Sequence, residues 1–147
     1  MYNVVMSVGT PNILGSCCIL GYHGSTGFPY QTYSPFEFDT TGIWASPSPD
    51  TAIASHEVGE WMDDPFGNNA VPPWGNIGQV SGCQGNLEVG DPLSGTLFPS
   101  VQMSNGFTYH LQELAFFSWF LGGPSLGAGG LYSDHGTFLK DAGKPCG

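Results

Sequence analysis

The chain has 147 residues and a net charge of −10, with 12 Asp and Glu against only two basic residues, Lys140 and Lys144. This balance excludes binding through basic patches to nucleic acid or to anionic membranes, and the longest apolar stretch, residues 114–121, is too short to span a bilayer. The apolar content of 40% is enough for the core of one domain over residues 1–147. Because no signal-peptide pattern opens the chain, we expect a mature product or a fragment processed from a larger precursor.

The N-terminal part of the chain has the composition of β-strands. Three segments rich in β-branched and aromatic residues predict a twisted sheet: residues 2–8, 16–24 and 30–38. Pro35 favours an edge position for the third strand, because proline has no N–H to donate to a neighbouring strand. An exposed edge strand is a place where an extended peptide can add to a sheet.

A first helix is predicted over residues 51–63, with Asp50 or Thr51 able to cap its N-terminus. The stretch that follows, residues 66–99, is dominated by Gly, Asn, Pro and small residues. We interpret it as a long ordered loop with one short strand near residues 86–91. A loop of this length in a compact domain is typically functional or held by a ligand.

A second helix is predicted over residues 109–121. Leu and aromatic side chains surround nearly its whole circumference, so this helix is expected to be buried, and Gly122 with Gly123 ends it. Strands in the first part of the chain and two helices after them indicate an α+β fold.

Four cysteines stand at positions 17, 18, 83 and 146 without the C-x-x-C spacing of a zinc site. They indicate disulfides and therefore a secreted or extracellular protein. If Cys17 and Cys18 lie on a strand, their side chains point to opposite faces, which favours different partners, Cys83 and Cys146. The alternative is four reduced, buried thiols in a cytosolic protein.

The densest group of functional side chains lies in the first helix. Residues four apart share one helical face, so His56, Glu60 and Asp64 project in the same direction, while Glu57 stands about 100° round the axis. His56 and Glu60 would supply a nitrogen and an oxygen ligand to a metal ion. Glu57 would then stand beside the open coordination position, able to accept a proton from water.

This H-E-x-x-E pattern resembles the H-E-x-x-H helix of zincin metallopeptidases, with Glu60 in place of the second histidine. The segment SHEVGEWMDDP, a later Trp and the motif EVGD at residues 88–91 resemble a group of secreted, zincin-like bacterial proteins related to the plant phosphate-induced (EXORDIUM-type) proteins. The segment YHLQELAFFSWF at residues 109–120 is similar to a later helix of those proteins. The resemblance covers about half of the chain, in patches.

The resemblance implies a secreted, zincin-like peptidase that binds zinc. His56 and Glu60 would be two metal ligands, and Glu57 the general base that activates water for attack on a peptide bond lying along the edge strand. The third ligand would be an acidic residue of the downstream motif, Glu88 or Asp91. Glu88 is preferred, because the Glu of such a motif is the usual ligand and the Asp its hydrogen-bonding partner.

One imidazole with two carboxylates is a harder and more anionic ligand set than two imidazoles with one carboxylate, so it also suits calcium or manganese. A separate calcium site is conceivable around a turn rich in oxygen donors: Asp63, Asp64, Asn68 and Asn69. Alternatively, Asp64 accepts a hydrogen bond from His56 or caps the next turn. These donors support a second hypothesis, a non-catalytic, calcium-stabilised extracellular module for binding, adhesion or self-assembly.

The remaining histidines and tryptophans carry weaker signals. His23, His110 and His135 could add a ligand or bind an oxyanion, but a single histidine outside a motif is usually structural. Trp119 is expected in the core because it lies on the apolar helix, whereas Trp74, in the segment PPWGN, is expected to be more exposed.

Overall fold

The computed structural model describes residues 2–6, 20–38, 50–134 and 146. Within these residues the fold is α+β, as predicted, with two α-helices, one three-stranded sheet and two two-stranded sheets. None of the described helices is long and apolar enough to cross a bilayer.

A sheet in the N-terminal part of the chain is confirmed, with strands at the first and third predicted segments. Of the second segment, residues 20–23 form no regular strand and residues 16–19 lie outside the described residues. The sheet contains β1 (Tyr2–Met6), β2 (Gly24–Thr26) and β3 (Gln31–Glu37), with β1 parallel and β2 antiparallel to β3. The strand order is β1-β3-β2, so β3 is central and the edge position expected from Pro35 is wrong. The carbonyl oxygen of Pro35 accepts the N–H of Tyr22 at 3.1 Å, so the proline takes part in the sheet as an acceptor.

Helix α1 (Ala52–Asp63) forms where it was predicted and packs against β3. Thr51 is the N-cap residue, but its side chain makes no capping hydrogen bond. Asp50 instead accepts hydrogen bonds from the Thr51 hydroxyl at 2.9 Å and from the backbone N–H of His110 at 3.1 Å. The start of α1 is thereby joined to a segment about 60 residues later in the chain.

The predicted long loop over residues 66–99 is wrong for most of its length. It contains an antiparallel hairpin of β4 (Ala70–Ile77) and β5 (Val80–Asn86), followed by a 3-10 helix (Asp91–Leu93). The expected short strand near residues 86–91 is the end of β5 and the turn after it. Register shifts along β4 accommodate the prolines and glycine that made this segment look like a loop.

Strand β5 also carries the disulfide of the described residues, which joins Cys83 to Cys146 with Cα atoms 5.5 Å apart. The expectation that Cys83 and Cys146 pair separately with the two N-terminal cysteines is therefore wrong. Cys17 and Cys18 themselves lie outside the described residues.

The second helix is much shorter than predicted: α2 covers only Phe117–Leu121, and Gly122 ends it in a left-handed conformation with φ of 69°. Most of residues 109–116 runs extended, beginning with β7 (Thr108–Tyr109), which pairs with β6 (Val101–Gln102). Its backbone then bonds to three other segments: Glu113 donates to Thr96, Ala115 to Val89 and Phe116 to Tyr132. A short, largely apolar segment has no periodicity that separates a helix from an extended strand. The expected burial of the helix holds for Trp119 and Phe120 but is wrong for Phe117 and Leu121, which are exposed.

The core lies between the β4–β5 hairpin and α2. Trp74, Trp119 and Phe120 pack edge to face, with ring centroids 4.9–5.5 Å apart. Trp74 is only 1% exposed, so the expectation of a more exposed ring is wrong, whereas burial of Trp119 is confirmed. The Trp74 indole N–H donates to the carbonyl oxygen of Asn86 at 2.9 Å, which satisfies the polar atom of this buried side chain.

Candidate metal centre

Helix α1 places three acid–base side chains in the protein interior: His56, Glu57 and Glu60 are 4%, 5% and 3% exposed. His56 and Glu60 lie one turn apart, with Nε2 of His56 3.1 Å from Oε1 of Glu60. The common face predicted from their spacing is therefore present.

The turn after β5 supplies a third group, Asp91, whose Oδ1 lies 3.4 Å from Nε2 of His56. This turn is fastened to α1, because Oε1 of Glu60 accepts the backbone N–H groups of Gly90 and Asp91 at 3.1 and 3.2 Å. The Asp91 carboxylate is oriented by the side-chain amides of Gln79 and Gln84. His56, Glu60 and Asp91 together form a buried group whose ligand atoms all lie within 4.8 Å of one another.

Gly90 is required by the close approach of this turn to His56. A Cβ atom at position 90 would lie 2.6 Å from Nδ1 of the imidazole, a separation that real Cβ atoms do not show. The glycine of the EVGD segment therefore creates the space for the histidine ring.

Glu88, the preferred third ligand from the sequence, lies elsewhere in the cluster. Its Oε2 is 3.7 Å from Nε2 of His23, and it belongs to neither of the two candidate ligand groups among the described residues. Of the two predicted alternatives, the structure brings Asp91 to His56 and Glu60.

The unexpected member of the cluster is His23, which precedes β2 and has a side chain only 5% exposed. Its Nδ1 lies 3.5 Å from Oε2 of Glu57 and 3.5 Å from Oε2 of Glu60. His23, Glu57 and Glu60 form the second candidate ligand group. Sequence reasoning missed His23 because it lies 33 positions before His56, outside any spaced motif.

The side-chain amide of Gln112 holds the His56 ring on its other edge. The amide nitrogen lies 2.8 Å from Nδ1 of His56 and 2.8 Å from the carbonyl oxygen of Gly90. An amide nitrogen donates, so in this arrangement Nδ1 accepts and a neutral His56 carries its proton on Nε2. An ion at Nε2 therefore requires the amide to turn, so that its oxygen accepts a proton on Nδ1.

The electrostatics of the cluster show a shortage of positive charge. Burial alone would lower the pKa of His23, but the adjacent carboxylates of Glu57 and Glu60, each 3.5 Å from Nδ1, and the charge of Glu88 raise it to about 10. The pKa of His56 is likewise raised, against the effect of burial, by Glu60 and Asp91. The neighbouring carboxylates thus favour a positive charge on both imidazoles.

The carboxylates respond in different directions. Burial and the charge of Glu60 raise the pKa of Glu88 to about 8, and burial raises the pKa of Glu57. Burial opposes ionisation of Glu60 as well, but His56 and His23 lower its pKa to about 2. Two carboxylates are therefore destabilised as anions by their surroundings, which a nearby cation would relieve.

The distances between donor atoms fit a metal ion. Zinc bonds of about 2.0–2.2 Å place tetrahedral ligand atoms about 3.3–3.6 Å apart. The contacts of His56 and His23 with Glu57, Glu60 and Asp91 are 3.1–3.5 Å. Calcium bonds of about 2.3–2.6 Å give octahedral edges of about 3.3–3.7 Å, so the spacing suits either ion.

The turn proposed as a separate calcium site is hydrogen-bonded within itself. Both carboxylate oxygens of the fully buried Asp64 accept backbone N–H groups, from Asn68 and Asn69, each at 2.9 Å. The side-chain amide of Asn69 donates to the carbonyl oxygen of Asp63 at 2.6 Å. Of the roles considered for Asp64, capping the next turn is the one these contacts support.

Replacing Asp64 with alanine is expected to lower the free energy of unfolding by about 2–4 kcal/mol, because two backbone N–H groups lose a charged acceptor. Asp63→Ala is the matched control, since its backbone carbonyl keeps its hydrogen bond, and should cost less than about 1 kcal/mol. Urea unfolding in calcium-free buffer measures both. A loss at Asp64→Ala seen only in the presence of calcium would instead identify Asp64 as a calcium ligand.

His110 does not extend the cluster. His110 makes an ion pair with Asp50 through its Nδ1 and has a side chain 37% exposed. His135 lies outside the described residues.

No protein-family model matches the chain, and neither do any curated proteins or solved structures compared with it. The resemblance to zincins therefore depends on the sequence pattern, and the metal centre on the geometry described above.

Proposed function

We propose that the protein is a zincin-like, metal-dependent hydrolase whose ion is held by His56, Glu60 and Asp91. The observation that carries the proposal is the convergence of these three buried donors within 4.8 Å of one another, without a described Lys or Arg, which is close enough to hold a metal ion. Asp91 replaces Glu88 as the third ligand in this proposal. With one nitrogen and two oxygen donors, the site suits zinc first and manganese or calcium as alternatives.

A bound divalent ion would make a nearby water molecule more acidic and polarise the carbonyl group under attack. Glu57 supplies the general base in this proposal. Its Oε2 is buried and accepts no hydrogen bond from the described residues, so it is available to take a proton. Burial raises the pKa of Glu57, which makes it a stronger base than an exposed carboxylate.

We infer a peptide as substrate from the zincin resemblance. The predicted edge strand was β3, but β3 is central, so an extended peptide requires another edge. Among the described strands, β2 is the edge strand next to the cluster, because it begins directly after His23. The disulfide between Cys83 and Cys146 supports the inference that this peptidase acts outside the cell.

Deep burial of the donors favours a second candidate function. His56, Glu57, Glu60 and Asp91 are all less than 9% exposed, and a structural ion needs no access for a substrate. In this alternative, a calcium or zinc ion ties α1 to the turn after β5 and stabilises a non-catalytic extracellular module for binding, adhesion or self-assembly.

The hydrolase proposal predicts that peptide cleavage disappears on chelation and returns when one equivalent of zinc is added. The assay uses a mixed library of unstructured peptides with the intact protein, and elemental analysis measures the metal content. Cleavage that survives complete removal of metal would contradict the proposal. One tightly held ion per chain with no cleavage of any peptide would support the structural alternative.

A further inference from the structure

We propose a second divalent-cation site formed by Nδ1 of His23, Oε2 of Glu57 and Oε2 of Glu60. Glu60 would bridge the two sites, with Oε1 directed at His56 and Oε2 at His23. This site goes beyond the proposed function, because it requires only the binding of an ion and no hydrolysis.

The ring of His23 is already arranged as metal-binding histidines usually are. Its Nε2 lies 3.0 Å from the backbone carbonyl oxygen of Asp64, and a carbonyl only accepts, so Nε2 carries the hydrogen. The lone pair of a neutral ring is then on Nδ1, directed at Glu57 and Glu60. A backbone carbonyl that fixes the tautomer in this way is the usual partner of a ligating imidazole. For His56, by contrast, the amide of Gln112 must first turn.

Glu57 supplies the second indication of an ion. The side chain is 5% exposed, and its Oε2 accepts no hydrogen bond from the described residues. Its nearest ring nitrogen is Nδ1 of His23 at 3.5 Å. A buried carboxylate oxygen without a donor is unfavourable unless a cation lies beside it, which is the protonated His23 in the metal-free protein and a metal ion in the loaded one.

The chain at Gly21 holds Glu57 in place. A Cβ atom at position 21 would lie 2.8 Å from both Cγ and Oε1 of Glu57 and 2.7 Å from Ile53. The segment that carries His23 therefore packs directly on α1, and only glycine allows this approach. His23 and Glu57 are brought together by backbone packing, which fixes the site before any ion binds.

An ion at the second site would coordinate the Glu57 oxygen that the proposed hydrolysis needs as a base. Filling this site is therefore expected to slow hydrolysis, a consequence that rests on the proposed function. The binding of the ion itself does not rest on the proposed function, so the test measures binding directly.

The test is titration of metal-free protein with Mn²⁺ and with Zn²⁺, with the number of bound ions measured by calorimetry and by elemental analysis after gel filtration. Wild type should bind two ions per chain. His23→Ala should bind one, with the affinity for the second lowered at least about 100-fold. His110→Ala is the matched control, since that histidine pairs with Asp50 away from the cluster, and it should bind two.

His56→Ala separates this inference from the proposed function. If it keeps one ion that His23→Ala lacks, the second site exists. One ion in wild type, lost in His56→Ala and kept in His23→Ala, would overturn the second site and leave the proposed function standing. One ion in wild type that is lost in His23→Ala and kept in His56→Ala would overturn the site at His56 and support the second site. No binding at all would overturn both.

A measurement on wild type alone guards against variants that fail to fold. Two Mn²⁺ ions bridged by the Glu60 carboxylate couple magnetically, so the electron paramagnetic resonance spectrum of the isolated ion should be replaced by a broadened, coupled spectrum at two equivalents. A spectrum of isolated, uncoupled ions at the same loading would overturn the shared site.

Discussion

Replacing Glu57 with glutamine is expected to lower the rate of peptide hydrolysis about 100- to 10,000-fold, the usual contribution of a general base. The amide has nearly the same shape as the carboxylate but cannot accept a proton from water. The ion between His56, Glu60 and Asp91 should remain, because Glu57 is not one of its ligands. Single-turnover cleavage at saturating substrate, with metal content measured on the same sample, tests both statements.

Glu60→Gln is the informative companion of this variant. It is also a Glu-to-Gln change on α1, but Glu60 is a proposed ligand, so hydrolysis should be lost together with the metal. Hydrolysis at the wild-type rate in Glu57→Gln would remove Glu57 from the mechanism. Loss of the ion between His56, Glu60 and Asp91 in Glu57→Gln would show that Glu57 helps to hold that ion, whereas loss of the ion beside His23 alone is the result that the second site predicts.

The sequence was sufficient to predict the part of the site that lies on a single helix. The face shared by His56 and Glu60 follows from residues four apart in a segment with clear start and stop signals. The downstream acidic motif EVGD was also recognised, but the sequence did not indicate correctly which of its two carboxylates lies beside His56. Gly90 brings the backbone of the turn against His56. This approach gives Asp91, whose own backbone N–H binds Glu60, the better position.

His23 could not be predicted, because its position depends on pairing between distant segments. The isolated bridge between Gly21 and Phe36 and the pairing of β2 with β3 carry the ring to α1. Neither of these backbone pairings produces a recognisable spacing of residues in the sequence. A histidine between two aromatic and glycine-rich strands has no local pattern that distinguishes a ligand from a structural residue.

The errors in the fold have a related physical origin. The β4–β5 hairpin contains Pro72, Pro73 and Gly75, residues that are depleted in regular strands. It forms because Trp74 packs in the core and because register shifts relieve the irregular residues. The segment over residues 109–116 was expected to be helical from its apolar content, but backbone hydrogen bonds to distant segments hold it extended.

The metal-free protein is expected to be most stable at mildly acidic pH and to lose stability as the pH rises. Folding raises the pKa of His23 from 6.5 to about 10 and that of Glu88 from 4.5 to about 8. For both groups the folded state holds a proton that the unfolded state releases, so the free energy of unfolding falls as the pH rises. The fall due to Glu88 lies between about pH 4.5 and pH 8, and that due to His23 between about pH 6.5 and pH 10. Glu60, with its pKa lowered to about 2, makes the opposite contribution, which is lost as the pH falls below about 4.5.

A bound divalent ion replaces the protons in this balance, so the metal-loaded protein should keep its stability above pH 7 while the metal-free protein loses it. Urea unfolding from pH 3 to pH 10, with and without zinc, measures the difference between the two curves. In His23→Gln the decline between about pH 6.5 and pH 10 should become smaller in the metal-free curve, and His56, whose pKa is also raised, accounts for the decline that remains. If the metal-free protein instead becomes more stable over this range, the imidazole of His23 is not the cation that balances Glu57 and Glu60.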